Sequence, residues 1–171
     1  MAITPALTTA RLSLEPLRVD HAAEMVEVLA PRDLYAYYPE QPSPTLAELR
    51  ATYERQTRGH SHDGTEIWHN WIARQRSTGE AIGFIQVTTT GHLAEIAWVI
   101  GIPWQGIGFA AEAATEVRDA CLRGDTNEVV VEVICHIAPG HVKSEGVARS
   151  LGMHPTESLH DGEIRWESDK V

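Results

Sequence analysis

Cysteine is scarce in this 171-residue sequence. Cys121 and Cys135 are the only two, too few for a disulfide framework, and a reducing compartment, the cytoplasm, is the expected location. No apolar stretch reaches the length that a membrane-spanning helix needs. Residues 1–17 (MAITPALTTARLSLEPL) lack the basic start and apolar run of a secretion signal. Positive charge is also in short supply: 14 Lys and Arg against 24 Asp and Glu leave a net charge of −10. That balance argues against nucleic acid as partner, because phosphate backbones need a basic surface, and it suits attraction of a cationic small molecule; with no long apolar stretch, no membrane partner is expected either. There is no internal repeat and no low-complexity segment. What is plentiful is apolar: 43% of residues are hydrophobic and 22% charged, the composition of a globular chain that buries a sizeable core. One domain spanning residues 1–171 is expected.

Hydrophobic periodicity divides the chain into alternating elements. Residues 11–17 alternate as a strand, with Leu12, Leu14 and Pro16 on one face. Asp20 is placed to cap a helix over residues 21–30. Pro31, Pro39, Pro42 and Pro44 then mark a loop, and Thr45 with Glu48 signals a capping box for a second helix ending before Gly59. After a loop at residues 58–64, three strands follow at 67–74, 81–89 and 93–100. The period then changes. Ile107, Ala110, Ala111, Ala114, Val117 and Cys121 form the apolar stripe of a helix that Gly124 ends. A nearly continuous apolar run at 128–135 predicts a central strand, a helix is predicted over 141–151, and two strands flank Asp161-Gly162. The order β-α-α-β-β-β-α-β-α-β-β predicts an α/β fold: a mixed, mostly antiparallel sheet of about seven strands with helices on both faces.

Residues 99–112 (VIGIPWQGIGFAAE) are the most informative segment. A strand runs into a glycine-bearing turn that opens directly into a helix. The first turn of such a helix has unpaired N–H groups and the positive end of the helix dipole, an anion site, and Gly106 and Gly108 leave room for a phosphate group at the backbone. The spacing is neither GxGxxG nor the GK[ST] of a P-loop. Gln105-x-x-Gly108-x-Ala110 after an extended strand resembles the pyrophosphate loop of the GNAT superfamily of acyl-CoA-dependent N-acetyltransferases. Residues 9–17 resemble the opening strand of the branch that includes ribosomal-protein N-terminal acetyltransferases, and residues 94–100 its fourth strand. His141-Val142-Lys143-Ser144-Glu145-Gly146-Val147, followed by Leu151-Gly152-Met153, is similar to the Asn-x-x-Ser-x-x-Val…Leu-Gly-Phe segment of that branch. His141 stands where the branch has Asn, Gln105 where Arg is commoner, and no Tyr follows in the last helix.

The resemblance implies a GNAT-like fold whose fourth and fifth strands splay apart around the pantetheine arm of acetyl-CoA. Residues 97–102 would supply the strand edge, with Val99, Ile100 and Ile102 along it, and the backbone of Gln105, Gly106, Ile107, Gly108, Phe109 and Ala110 would hold the pyrophosphate. No metal is implied. It implies an amine-bearing acceptor, which the acidic balance favours being cationic, and admits a homodimer. Turnover then needs a neutral amine and a proton for the departing thiolate. Glu95 is the candidate for the first task, either as base through water or as an orienting charge; a solvent-facing strand residue is the plainer alternative. Ser144 is the candidate proton donor, with His141 able to assist, though both are also residue types that simply start helices.

Other polar clusters have plainer explanations. His60, His62 and Asp63 lack the spacing of a metal site, and Cys135 and His136, adjacent on a strand, point to opposite faces. Cys121, Trp68, Trp71, Trp98 and Trp104 read as core, while Tyr35, Tyr37 and Tyr38 lie in a loop that in the resembled family borders the acceptor site, with plain loop packing the equal alternative. Rival functions are a transferase for a longer acyl-CoA and an acyl-CoA-binding protein without turnover.

Overall fold

The computed structural model describes residues 3–169. Its centre is one eight-stranded sheet in the order β1-β2-β3-β4-β5-β6-β8-β7. The strands are β1 (Leu7–Thr8), β2 (Leu12–Pro16), β3 (Glu66–Gln75), β4 (Ala81–Thr90), β5 (Leu93–Ile100), β6 (Glu132–Ile137), β7 (Met153–His160) and β8 (Glu163–Ser168). All neighbours pair antiparallel except β5 and β6. The helices are α1 (Ala22–Val28), α2 (Leu46–Gln56), α3 (Phe109–Arg123) and α4 (Val142–Ser150). No helix of the described residues is long and apolar enough to cross a membrane.

Each face of the sheet is covered by one helix pair. Leu12, Leu14, Trp71, Ile85, Val87 and Ile96 pack with Phe109, Ala113, Ala114 and Val117 of α3 and Ala148 of α4. On the opposite face Ile72 meets Ala22 and Met25 of α1 and Leu49 and Tyr53 of α2. Period-two alternation puts Leu12 and Leu14 on the inner side of β2, both fully buried. Truncating either to alanine would cost about 2–5 kcal/mol in lost burial and cavity formation. The capping box at α2 forms as expected: Glu48 N–H donates to Thr45 Oγ1 at 3.2 Å, and Thr45 N–H to Glu48 Oε2 at 2.8 Å.

Four details differ from the sequence-based expectation. A two-residue strand, β1, extends the sheet to eight. Asp20 caps nothing; a 3-10 turn at Val19–His21 precedes α1, and the buried His21 ring accepts the Arg18 N–H at 3.0 Å instead. Ile107 is 56% exposed and lies outside α3, whose buried stripe is Phe109, Ala113, Ala114, Val117, Ala120 and Cys121. The phase shifts because Gly108, with φ +88°, starts the helix one residue before Phe109. Finally, β6 begins at Glu132 rather than 128. Before it, Val129 and Val131 face outward and Val130 between them turns in, after a left-handed Asn127. An apolar run alone does not distinguish a strand from a loop that buries one residue in three.

Candidate active site

The site begins where the sheet comes apart. The parallel ladder between β5 and β6 holds for three residue pairs, Leu93 with Glu132, Ala94 with Val133 and Glu95 with Ile134, and then stops. Beyond Glu95 the strands diverge, and β5 keeps its partner β4 as far as Ile100 paired with Gly83. Residues 96–100 therefore present an unpaired backbone edge into a cleft of about 810 Å³. Exposed strand edges of this kind accept an extended ligand as if it were another strand.

At the far end of β5 the chain makes a 3-10 turn, Ile102–Trp104, and enters the glycine turn. Gly106 and Gly108 have φ of +81° and +88°, a conformation ordinary residues rarely hold. Among the described residues the N–H groups of Gly106, Ile107 and Gly108 have no hydrogen-bond acceptor. The first turn of α3 adds its own open amides. The Gln105 amide is used internally, donating to the Ile102 carbonyl at 3.3 Å. Its side chain ties two walls together: Nε2 donates to the Ile100 carbonyl at 2.8 Å, and Oε1 accepts from Lys143 Nζ of α4 at 2.8 Å. A run of open amides at a helix start, with a lysine nearby, is built for an anion.

Arg11 braces this turn from behind. Its guanidinium donates to Glu112 Oε2 at 2.7 Å and to the Ile107 carbonyl at 2.9 Å, and lies 4.3 Å from the Phe109 ring centre. Partial burial works against charge on Glu112, but hydrogen bonds from Thr9 and Arg11 outweigh it and hold the carboxyl below its ordinary range. Of the predicted cofactor residues, Val99, Ile100, Gln105, Gly106, Gly108, Phe109 and Ala110 line the cleft; Ile102 and Ile107 do not.

The three predicted catalytic residues line the same cleft. His141 is the N-cap of α4, its Nδ1 accepting the Ser144 N–H at 3.4 Å. Its Nε2 is 3.2 Å from Ser144 Oγ. Burial lowers the His141 pKa, with a backbone hydrogen bond opposing, so the ring is neutral at physiological pH. Glu95 sits at the last ladder pair, and its Oε1 is 2.7 Å from His136 Nδ1.

Sequence reasoning missed the partners on the acceptor side. His136 and Glu163 line the cleft there, and Lys143, also missed, lines it at the glycine turn. The tyrosine cluster divides: Tyr35 is buried and donates to the Leu29 carbonyl at 2.7 Å, a loop anchor. Tyr37 stacks on His141 with ring centres 4.1 Å apart, and Tyr38 donates to Glu163. Burial and that carboxylate raise the Tyr38 pKa well above its ordinary value. His136 lies two residues beyond Ile134, the partner of Glu95, and so shares its face, a register that the sequence alone does not give. Cys135 points the other way, 3.7 Å from Met153 Sδ, and burial pushes its thiol up to about 12, so the Cys-His neighbours do not form a nucleophilic pair. The histidine-rich loop at 58–64 spends its polar groups on its own turn: Asp63 accepts from Ser61 and Thr65.

A splayed parallel pair, an open-amide turn at a helix start and a polar bay beside them define an acyltransferase of the GNAT type. The acetyltransferase (GNAT) domain family matches residues 11–154, and the chain belongs to the GNAT acetyltransferase family. No curated protein gives a significant match. Solved structures do match. A GNAT-family acetyltransferase from Bacillus anthracis has 17% identity and a TM-score of 0.75, over 95% of this chain and 97% of that one. AAC(6')-Ib, in complex with ribostamycin and coenzyme A, has 13% identity and a TM-score of 0.75, over 92% and 93%. Spermidine N-acetyltransferase from Vibrio cholerae, in complex with CoA and spermine, has 18% identity and a TM-score of 0.70, over 93% and 95%. At these identities the likeness is one of fold.

Proposed function

We propose that this protein moves an acetyl group from acetyl-CoA to a cationic primary amine by direct attack in a ternary complex. The observation that carries the proposal is the fork after Glu95, which leads along an unpaired β5 edge to the open amides of residues 106–108. An extended pantetheine arm pairs with such an edge, and a pyrophosphate is held by such amides and by Lys143.

The acceptor enters from the side of Tyr38, Glu95 and Glu163, three groups lining the same cleft. Two carboxylates and a net charge of −10 favour an alkylammonium over a neutral or anionic acceptor. Glu95 supplies the negative charge that draws off the ammonium proton, through water or a neighbouring group. The amine then attacks the thioester carbon, the C–N bond forms and the C–S bond breaks. Because His141 Nδ1 accepts from the Ser144 amide, its hydrogen is on Nε2 and donates to Ser144 Oγ. The Ser144 hydroxyl hydrogen is thereby free to be given to the departing sulfur, and the proton shed as the amine becomes an amide restores the balance.

Residues 9–17 and 141–153 resemble the branch of ribosomal-protein N-terminal acetyltransferases, which supports a protein N-terminus as one acceptor to test beside polyamines and amine-bearing antibiotics. Both cysteines are free and buried, in keeping with the cytoplasm. Thiol release from acetyl-CoA with a panel of these amines is the test, run beside longer acyl-CoA esters. Amine-dependent release with acetyl-CoA is the expected result. Binding of acetyl-CoA without release for any amine would overturn turnover in favour of a binding protein, and preference for a longer ester would overturn the acyl assignment.

A further inference from the structure

Glu95 and His136 meet at the point where the fork opens. Glu95 ends the β5–β6 ladder opposite Ile134, and His136, two residues further along β6, projects to the same face of the sheet. There His136 Nδ1 lies 2.7 Å from Glu95 Oε1. The imidazole is only 10% exposed, against 43% for the carboxylate. A neutral ring held this way has its hydrogen on Nδ1, donating to Glu95, and this leaves the Nε2 lone pair available. Among the described residues Nε2 has no hydrogen-bond partner, and both side chains line the cleft. Further charged or titratable groups face His136 from β7 and β8. Arg165 is its cross-strand neighbour and is held by Glu132 and Glu167; the His160 ring centre is 5.2 Å away, and Glu163 is bound by Tyr38. Among the described residues Glu95 is thus the one carboxylate hydrogen-bonded to His136.

We propose that His136 is the general base for the acceptor amine and that Glu95 is its positioning residue. The inference rests on the acetyltransferase reading of the cleft and names the group that Glu95 works through. The acceptor ammonium gives one proton to His136 Nε2, forming an imidazolium that the Glu95 carboxylate stabilises across Nδ1–H. The free amine attacks the thioester carbon, and the sulfur leaves with a proton from Ser144, made good by the second proton that the nitrogen loses. His136 returns its proton to solvent, so one ammonium and one thioester yield one amide, one thiol and one proton.

The test compares wild type, His136→Gln, His136→Asn and Glu95→Gln in kcat/KM for one competent amine across about pH 5.5–9.5, with acetyl-CoA affinity measured by calorimetry. Loss of the base lowers kcat/KM by about 10²–10⁴-fold in either His136 variant, removes the acidic limb of the profile and leaves acetyl-CoA affinity unchanged. Glu95→Gln lowers the rate less and keeps an acidic limb, moved to lower pH because the imidazolium has lost its carboxylate. The proposal is overturned if the His136 variants keep the limb while Glu95→Gln loses it, or if they stay within about threefold of wild type. Nitrogen-15 shifts of the wild-type imidazole give a second readout that needs neither turnover nor a folded variant. A hydrogen on Nδ1 supports the pair, and a hydrogen on Nε2 overturns it. Failure of the wild type to bind acetyl-CoA would sink the acetyltransferase reading and leave the tautomer result to be judged alone.

Discussion

Replacing Gly108 with valine strikes the anion turn at the residue least able to accept it. Gly108 has φ +88°, and a Cβ there would stand 3.3 Å from Arg11 Nη2. Left-handed backbone costs an ordinary residue roughly 1–2 kcal/mol, and a β-branched one more. The turn relieves that strain by rotating residue 108 back to negative φ. The rotation swings the amides of residues 108 and 109 off the cleft and pushes the guanidinium away from the Ile107 carbonyl it now holds at 2.9 Å. A hydrogen bond to a charged group is worth about 1.5–3 kcal/mol. Losing one, or weakening two, costs about 1–3 kcal/mol of acetyl-CoA binding, roughly 5- to 150-fold in Kd. Calorimetric titration measures it, with Gly64→Ala as the control. Gly64 has φ +72° with nothing within 4 Å and does not line the cleft. That variant loses about 1–2 kcal/mol of stability and keeps its affinity. A Gly108→Val protein that melts cooperatively and binds acetyl-CoA as tightly as wild type refutes the amide cradle.

Three further outcomes follow from the geometry. Ser144→Ala lowers kcat by about 10²–10⁴-fold with acetyl-CoA affinity intact, as loss of a general acid does, and a rate near wild type in steady-state assays reduces Ser144 to a helix-start residue. Tyr38→Phe unties the tyrosine loop from Glu163 and raises the acceptor KM about fivefold, the worth of one hydrogen bond of about 1 kcal/mol, while acetyl-CoA affinity holds; an unchanged acceptor KM refutes the contact. Arg74 binds Glu15 at 2.9 Å and Glu24 at 2.6 Å and lowers both carboxyl pKa values against the opposing effect of burial. Carboxylates held low contribute stability that is present above the ordinary carboxylate range and lost as pH falls through their lowered values. Arg74→Met therefore costs about 1–3 kcal/mol in urea unfolding at neutral pH, between the worth of a surface pair and a buried one. The deficit shrinks as the carboxylates protonate in acid; a deficit independent of pH would assign the loss to packing instead.

The parts of this molecule that the sequence made legible are those written locally. The strand–glycine turn–helix at 99–112 states its own geometry, because φ above zero and open helix-start amides depend on neighbours in the chain. The Thr45 capping box and the Gly124 stop are local in the same way, and both formed. The polar contacts across the cleft were hidden because they join distant residues: Glu95 and His136 are 41 apart, Gln105 and Lys143 38 apart, Tyr38 and Glu163 125 apart. Nothing in residues 128–137 alone distinguishes a histidine facing a carboxylate from one facing solvent. Asp20 failed as a cap for a related reason. The buried His21 ring, held by Glu15 at 3.0 Å, took the Arg18 amide first.

The three-pair ladder between β5 and β6 makes the sheet a spliced beam. On one side of the splice are β1 to β5, on the other β6, β8 and β7. The covering helices bridge the two, but the backbone hydrogen bonds that carry load across a continuous sheet run out after Glu95. Whatever pairs with the β5 edge restores part of that missing span. Its binding energy is then also cohesion between the halves, about 2.7 kcal/mol at a hundredfold excess over Kd. If the substrate's arm is that partner, as proposed, part of the cohesion between the halves arrives with it and leaves with the thiol.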